Sequence, residues 1–171
     1  CAPPIREREN NEQLWQAVKD GTIDFIATDH SPSTPDLKEL ETGNFEKAWG
    51  GIASLQFSLS AFWTEAEKRG FSIADLSKLM SANVAGFCGL RKRKGKIAAG
   101  FDADLVVFDP NAAFEIREKD ILHKHKITPY LEMPLKGKVT HTFLNGRLIF
   151  SNEKLNLKNM GSLLFRRFLR H

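Results

Sequence analysis

The chain has 171 residues, 42% hydrophobic and 27% charged, a balance that fits an ordinary globular domain and excludes a disordered tail or a fibrous repeat. Thirteen Phe, three Trp and one Tyr are enough to fill a core, and the longest apolar runs fall far short of the roughly 20 residues that a membrane-spanning helix requires. The net charge of +4 belongs to the end of the chain: residues 1–150 carry 20 basic and 20 acidic side chains, whereas Lys154, Lys158, Arg166, Arg167 and Arg170 face only Glu153. The excess therefore describes a tail and not a nucleic-acid face.

The chain opens on Cys1-Ala2-Pro3-Pro4-Ile5-Arg6, where consecutive prolines fix φ and hold a rigid, extended loop suited to presenting backbone groups to a ligand. Cys1 and Cys88 are too few for a disulfide framework, and no signal peptide is visible, so a reducing intracellular setting, cytoplasmic or organellar, is expected. A start of this kind is expected of a piece of a longer protein.

Leu14, Trp15 and Val18 share one side at helical spacing between Asn10 and Lys19, and Asp20-Gly21 ends the pattern. Residues 22–28, Thr-Ile-Asp-Phe-Ile-Ala-Thr, are short, apolar and β-branched, and predict a buried strand after that helix, the α/β pattern. Leu55, Leu59, Phe62, Trp63 and Ala66 form an apolar stripe that predicts a longer helix over Ile52–Arg69. Ser72 and Asp75 have the spacing of a capping box and start another helix through about Ala82, with a short helical turn to Cys88.

The basic run Arg91-Lys92-Arg93-Lys94-Gly95-Lys96 reads as a solvated linker at which helical spacing gives way to strands, expected at Asp104–Asp109, Lys138–Leu144 and Arg147–Phe150. Asn145-Gly146 between the last two is the pair that a type I′ turn prefers, because both residues must take positive φ. Leu163, Leu164, Phe165, Phe168 and Leu169 predict an amphipathic helix in the tail. The expected division is residues 1–90, 91–151 and a basic tail at 152–171.

Asp29 is the residue to explain, since a carboxylate at the C-terminal end of a barrel strand projects into the site loops and can bind a divalent metal or take a proton from water. The plainer account, a carboxylate capping the Asp-His-Ser-Pro turn, stays open beside it. Cys1 has no His or base near it in sequence, which argues against a reactive thiol. His123-Lys124-His125 imitates a His-x-His metal pair, yet lies past the boundary with no third ligand nearby in sequence, so loop or edge-strand histidines are the better reading. Neither nucleic acid nor membrane is expected as a partner.

The segments Cys1–Arg6, Ile23–Pro32 and Ala48-Trp49-Gly50-Gly51-Ile52 closely resemble the allantoinases, cyclic amidohydrolases related to dihydropyrimidinase and dihydroorotase. Gly95-Lys96-Ile97, residues 100–106, residues 123–130 and residues 135–139 fit the later segments of the same family. The resemblance implies the C-terminal portion of a TIM-like (β/α)8 metal-dependent hydrolase barrel over residues 1–90, then strands of a small β-sandwich domain over 91–151. It also implies two zinc ions bridged by a carboxylated lysine absent from this chain, with Asp29 as zinc ligand and catalytic base. Cys1, His30 and Ser31 would hold the substrate ring. The implied reaction is hydrolysis of allantoin to allantoate by a homotetramer of complete subunits, the isolated piece being inactive. The alternatives are a hydantoinase or dihydropyrimidinase acting on a related ring, and a non-catalytic amidohydrolase-like scaffold.

Overall fold

A computed structural model describes residues 7–151, 154–156 and 161–164. Helix α1 (Arg8–Asp20) stops at Gly21, as its spacing predicts. Its Trp15 stacks on Phe62 at 5.1 Å and meets the edge of Phe71 at 5.9 Å, while the Arg69 guanidinium lies 4.6 Å over the Trp15 ring. Arg69 also bridges Glu12 (2.6 Å) and Glu65 (2.8 Å), so α1 is tied to helix α2 (Ser58–Lys68) by stacking and by charge. The first holds in any salt; the second is screened.

Helix α2 begins six residues later than its apolar stripe suggests. Ile52 is held extended by a parallel bridge to His30, and Gly51 just before it takes φ 90°, so the helical path opens only after Phe57. Helices α3 (Ile73–Ser77) and α4 (Asn83–Phe87) join through a π turn at Lys78–Ala82 into one continuous helical stretch. At its start Ser72 Oγ accepts the Asp75 N–H (3.2 Å) and the Asp75 carboxylate accepts the Ser72 N–H (2.8 Å), the reciprocal box expected from the spacing.

Residues 22–28 do not form the expected strand. They run as an extended segment pinned at separate points: the Ile26 N–H donates to Leu79 O (3.2 Å), the Asn83 side-chain amide to Asp24 O (2.6 Å), and Ser54 Oγ–H to Thr28 O (2.8 Å). A buried parallel strand needs a ladder on each side, and among the described residues this segment has only the His30–Ile52 bridge.

The second half is an antiparallel sheet in the order β1 (Leu105–Glu115), β2 (Pro134–Leu144), β3 (Arg147–Ser151), β4 (Lys154–Leu155). β1 runs further than expected because bulges after Val107 and Asp109 absorb Pro110, which cannot donate to a ladder. β2 and β3 meet at Asn145 (φ 49°) and Gly146 (φ 75°), the positive pair that the turn demands. The basic run is not a free linker: Arg93 and Lys94 pair with Asp102 (3.0 and 3.1 Å), and Lys94 also pairs with Asp104, whose other oxygen accepts the Asn145 N–H (2.8 Å). Lys94 and Arg93 hold the Asp102 carboxyl below its ordinary range, with the Lys94 bond the larger cause.

The halves pack through α2 and β2. Ser60 Oγ–H donates to Gly137 O (2.5 Å), the Lys136 N–H donates to Thr64 Oγ1 (2.8 Å), and Trp63 Nε1–H reaches Pro110 O (3.0 Å). Beside this seam Phe57, Ile116, Ile121 and Leu135 are buried together, with Phe114 and Tyr130 against them. Each such side chain contributes about 1.5–3 kcal/mol when fully buried. The expected tail helix lies mostly outside the described residues, and residues 161–164 have no regular structure.

Candidate active site

The turn after the extended segment gathers the residues that sequence singles out. Asp29 has φ 42°, a left-handed conformation that Asp tolerates better than most residues, and its side chain is exposed. Ser31 Oγ–H folds back onto the Asp29 carbonyl (3.0 Å), and the Ser31 N–H donates to Ile52 O (2.9 Å). Gly51 presses against this turn so closely that a Cβ there would lie 2.6 Å from the Ser31 Cβ.

His30 packs onto the residues that follow Ile52. Its Nδ1 accepts the N–H groups of Ser54 and Leu55, both at 3.1 Å, so that nitrogen is unprotonated and the ring proton sits on Nε2. Two backbone donors thus fix the tautomer and leave an N–H to offer elsewhere. The Asp29 carboxylate and the His30 Nε2–H are a proton acceptor and a proton donor on adjacent residues.

Two residues enter this neighbourhood that sequence reasoning did not place there. The His123 ring meets the His30 ring edge-on at 5.8 Å and 71°. It lies in the loop before β2, with Nε2–H donating to Ile127 O (3.2 Å) and a buried Nδ1 that has no partner among the described residues. That loop docks on the site through Thr128 Oγ1–H to Ala53 O (2.7 Å), and through Gln56, which donates to Asp120 O (2.7 Å) and accepts the Leu122 N–H (2.8 Å). The other is Lys38, whose ammonium donates to the carbonyls of Trp49 (3.0 Å), Gly50 (3.2 Å) and Gly51 (2.7 Å). Neither contact has a signal in the sequence, because both join a side chain to distant chain.

Cys1 lies outside the described residues. Cys88 is free and exposed, and His141 sits in β2 with Nδ1 3.0 Å from Thr140 Oγ1. A cleft of about 810 Å3 opens at the other end of the extended segment, lined by Ile23, Asp24, Phe25, Phe71 and Phe87 among others, and Asp29 is not part of it. The Asp29 turn, where Ser31, His30 and Gly51 meet, lies apart from this cleft and is the candidate site.

No three His, Cys, Asp or Glu side chains converge on a possible metal position among the described residues. One exposed carboxylate does not hold a metal by itself, so the donors present do not fit a metal centre on their own. No helix of the described residues is long and apolar enough to cross a membrane.

Residues 5–149 match the Amidohydrolase family. The chain is 46% identical to a probable allantoinase of Oryza sativa over 156 residues, which is 90% of this chain and 31% of that protein. It is 48% identical to an allantoinase of Streptomyces avermitilis over 152 residues, 89% of this chain and 33% of that protein. Among solved structures, it is similar to an L-hydantoinase (dihydropyrimidinase) from Arthrobacter aurescens, with TM-score 0.86 and 28% identity over 92% of this chain and 35% of that one. A D-hydantoinase (dihydropyrimidinase) from Thermus sp. has TM-score 0.81 and 29% identity over 90% of this chain and 34% of that one. The chain spans about a third of the length of the curated relatives it matches. With the match running across nearly all of its length, the chain belongs to the amidohydrolase family.

Proposed function

We propose that this chain is part of a longer cyclic amidohydrolase that hydrolyses allantoin to allantoate. The observation that carries the reading is identity of 41–48% to allantoinases along about nine-tenths of the chain, against 28–29% to the hydantoinases from Arthrobacter aurescens and Thermus sp.. On this reading residues 1–90 are the C-terminal portion of a TIM-like barrel, 91–151 supply strands of a small β-sandwich, and the basic tail at 152–171 lies outside both. The complete enzyme is a homotetramer.

Asp29 accepts the proton of the attacking water and returns it to the ring nitrogen as the C–N amide bond breaks, so one water is consumed and a carboxylate appears in the product. Its exposure at the end of the turn suits that reach. Ser31, His30 through its Nε2–H, and the Cys1 segment hold the ring. The chemistry a bound zinc would supply is polarisation of the amide and a more acidic water. Asp29 is the one residue of this chain that would hold a zinc ion, and the remaining donors, a carboxylated lysine among them, would come from outside it.

The test is the full-length protein carrying this chain, supplied with zinc and assayed for loss of allantoin, with Asp29→Asn beside it. Turnover that falls at least about a thousandfold in the variant, with the melting temperature held, supports the reading. Activity on hydantoin or dihydrouracil with allantoin untouched assigns the related-ring reaction instead. Inertness toward all three rings leaves the scaffold.

A further inference from the structure

We infer that Lys38 is a positioning residue for the substrate wall at Ser31, an inference that rests on the proposed hydrolase reading. Lys38 Nζ has three protons, and the structure gives it three acceptors in succession: the carbonyl oxygens of Trp49 (3.0 Å), Gly50 (3.2 Å) and Gly51 (2.7 Å). Carbonyl dipoles converging on one point repel each other unless a cation sits at that point. The ammonium is therefore what allows the Trp49–Gly51 turn to curl inward.

The lysine is itself held in place. It ends the short 3-10 turn Pro35–Lys38, and the Trp49 N–H donates to Leu37 O (2.7 Å), so the turn is locked to the Lys38 segment from both directions. What the turn presses against is the candidate site. A Cβ on Gly51 would come within 2.6 Å of the Ser31 Cβ and 2.7 Å of the Ser31 O, and the next residue, Ile52, accepts the Ser31 N–H and bridges to His30. A displacement of Gly51 is transmitted to Ser31 with no intervening side chain. Lys38 does not touch the reacting atoms in this account; it acts through Gly51.

The Lys38 bond to Trp49 is exposed, and those to Gly50 and Gly51 are part-buried. Water can therefore replace the lysine as donor, and the fold survives its removal while the position of the turn does not. Trimming the charge should show first in how the ring is held and only second in the chemical step.

The experiment uses the zinc-supplied full-length protein with Lys38→Met, Lys38→Arg and the parent side by side. Lys38→Met is expected to raise KM for allantoin about tenfold or more with kcat within about threefold, and Lys38→Arg to recover part of the loss through its retained charge. Amide exchange in Lys38→Met should quicken about tenfold at Ser31 and Ile52, with α2 and β2 unchanged. An unchanged KM, or exchange at Ser31 equal to the parent's, overturns the inference even if the melting temperature falls. If the parent itself leaves allantoin intact, the hydrolase reading fails, and exchange at Ser31 still decides whether Lys38 holds the turn.

Discussion

Asp29 and Gly51 both take positive φ at the candidate site but for different reasons: Asp29 is a residue type that tolerates it, whereas Gly51 is required both by its φ of 90° and by the Ser31 Cβ against it. Gly51→Ala is therefore expected to cost about 2–4 kcal/mol of stability, through clash and a strained φ together. Chemical denaturation of the parent and variant measures it; a difference under about 0.5 kcal/mol, the range of ordinary surface changes, removes the close approach from the account. Asp29 stands out in the sequence by its place in the Asp-His-Ser-Pro turn after an apolar run, whereas His30 and Ser31 enter only through the family resemblance. Lys38 and His123 were not legible as site residues. The three bonds of Lys38 go to backbone carbonyls 11, 12 and 13 residues away, which leave no mark in composition or spacing. His123 reads as a spare histidine until the loop before β2 folds onto the turn.

At the scale of elements, the features that sequence located well are those whose forces are short in range. The capping box at Ser72 and Asp75 closes as its spacing demands, and Asn145-Gly146 turns as its φ values demand. The Asp75 carboxyl is held below its ordinary range, first by the Ser72 hydroxyl and then by the Ser72 N–H. A depressed carboxyl contributes stability that is full above its ordinary value of 3.8 and fades as pH falls through the lower folded value. Ser72→Ala is accordingly expected to lower the melting temperature by roughly 2–4 °C at neutral pH and by less in acid. Melting curves across that range test the sign, and a gap that widens toward acid contradicts it. Residues 22–28 show the opposite case. Their apolar, β-branched composition is that of a buried strand, but composition cannot supply neighbours, and a ladder requires them.

Over the whole molecule, apolar surface is distributed in a way that suits company. Phe45, Phe87, Ile97, Leu40 and Leu55 are all more than 60% exposed, and Phe87 and Phe25 line the open cleft beside the unladdered segment. Scattered singly such residues mean little, but Phe87 joins Ile23, Phe25, Phe71 and Leu79 around the cleft, and an open apolar cleft is prone to association. The chain expressed alone is expected to self-associate and to bind a dye that reports exposed apolar surface, with sedimentation showing mass rising with concentration. A monodisperse, dye-silent monomer counts against the view that this face packs on more of the same enzyme. Charge secures the sheet: Lys94, Asp102 and Asp104 draw the start of β1 onto the Asn145 turn.

The bonds that dock the later loop on the candidate site also set an order in time. Thr128 reaches Ala53 across 75 residues, Ser60 reaches Gly137 across 77, and Lys136 reaches Thr64 across 72. Helices α1 and α2 and the hairpin of β2 and β3 close over short loops and form early, whereas these pairs wait for long stretches of chain to be gathered in. During synthesis the turn at Asp29 leaves the ribosome well before the loop whose His123 packs against His30. A chain stalled before residue 120 therefore carries the Asp29 carboxylate without the loop whose His123 packs against His30.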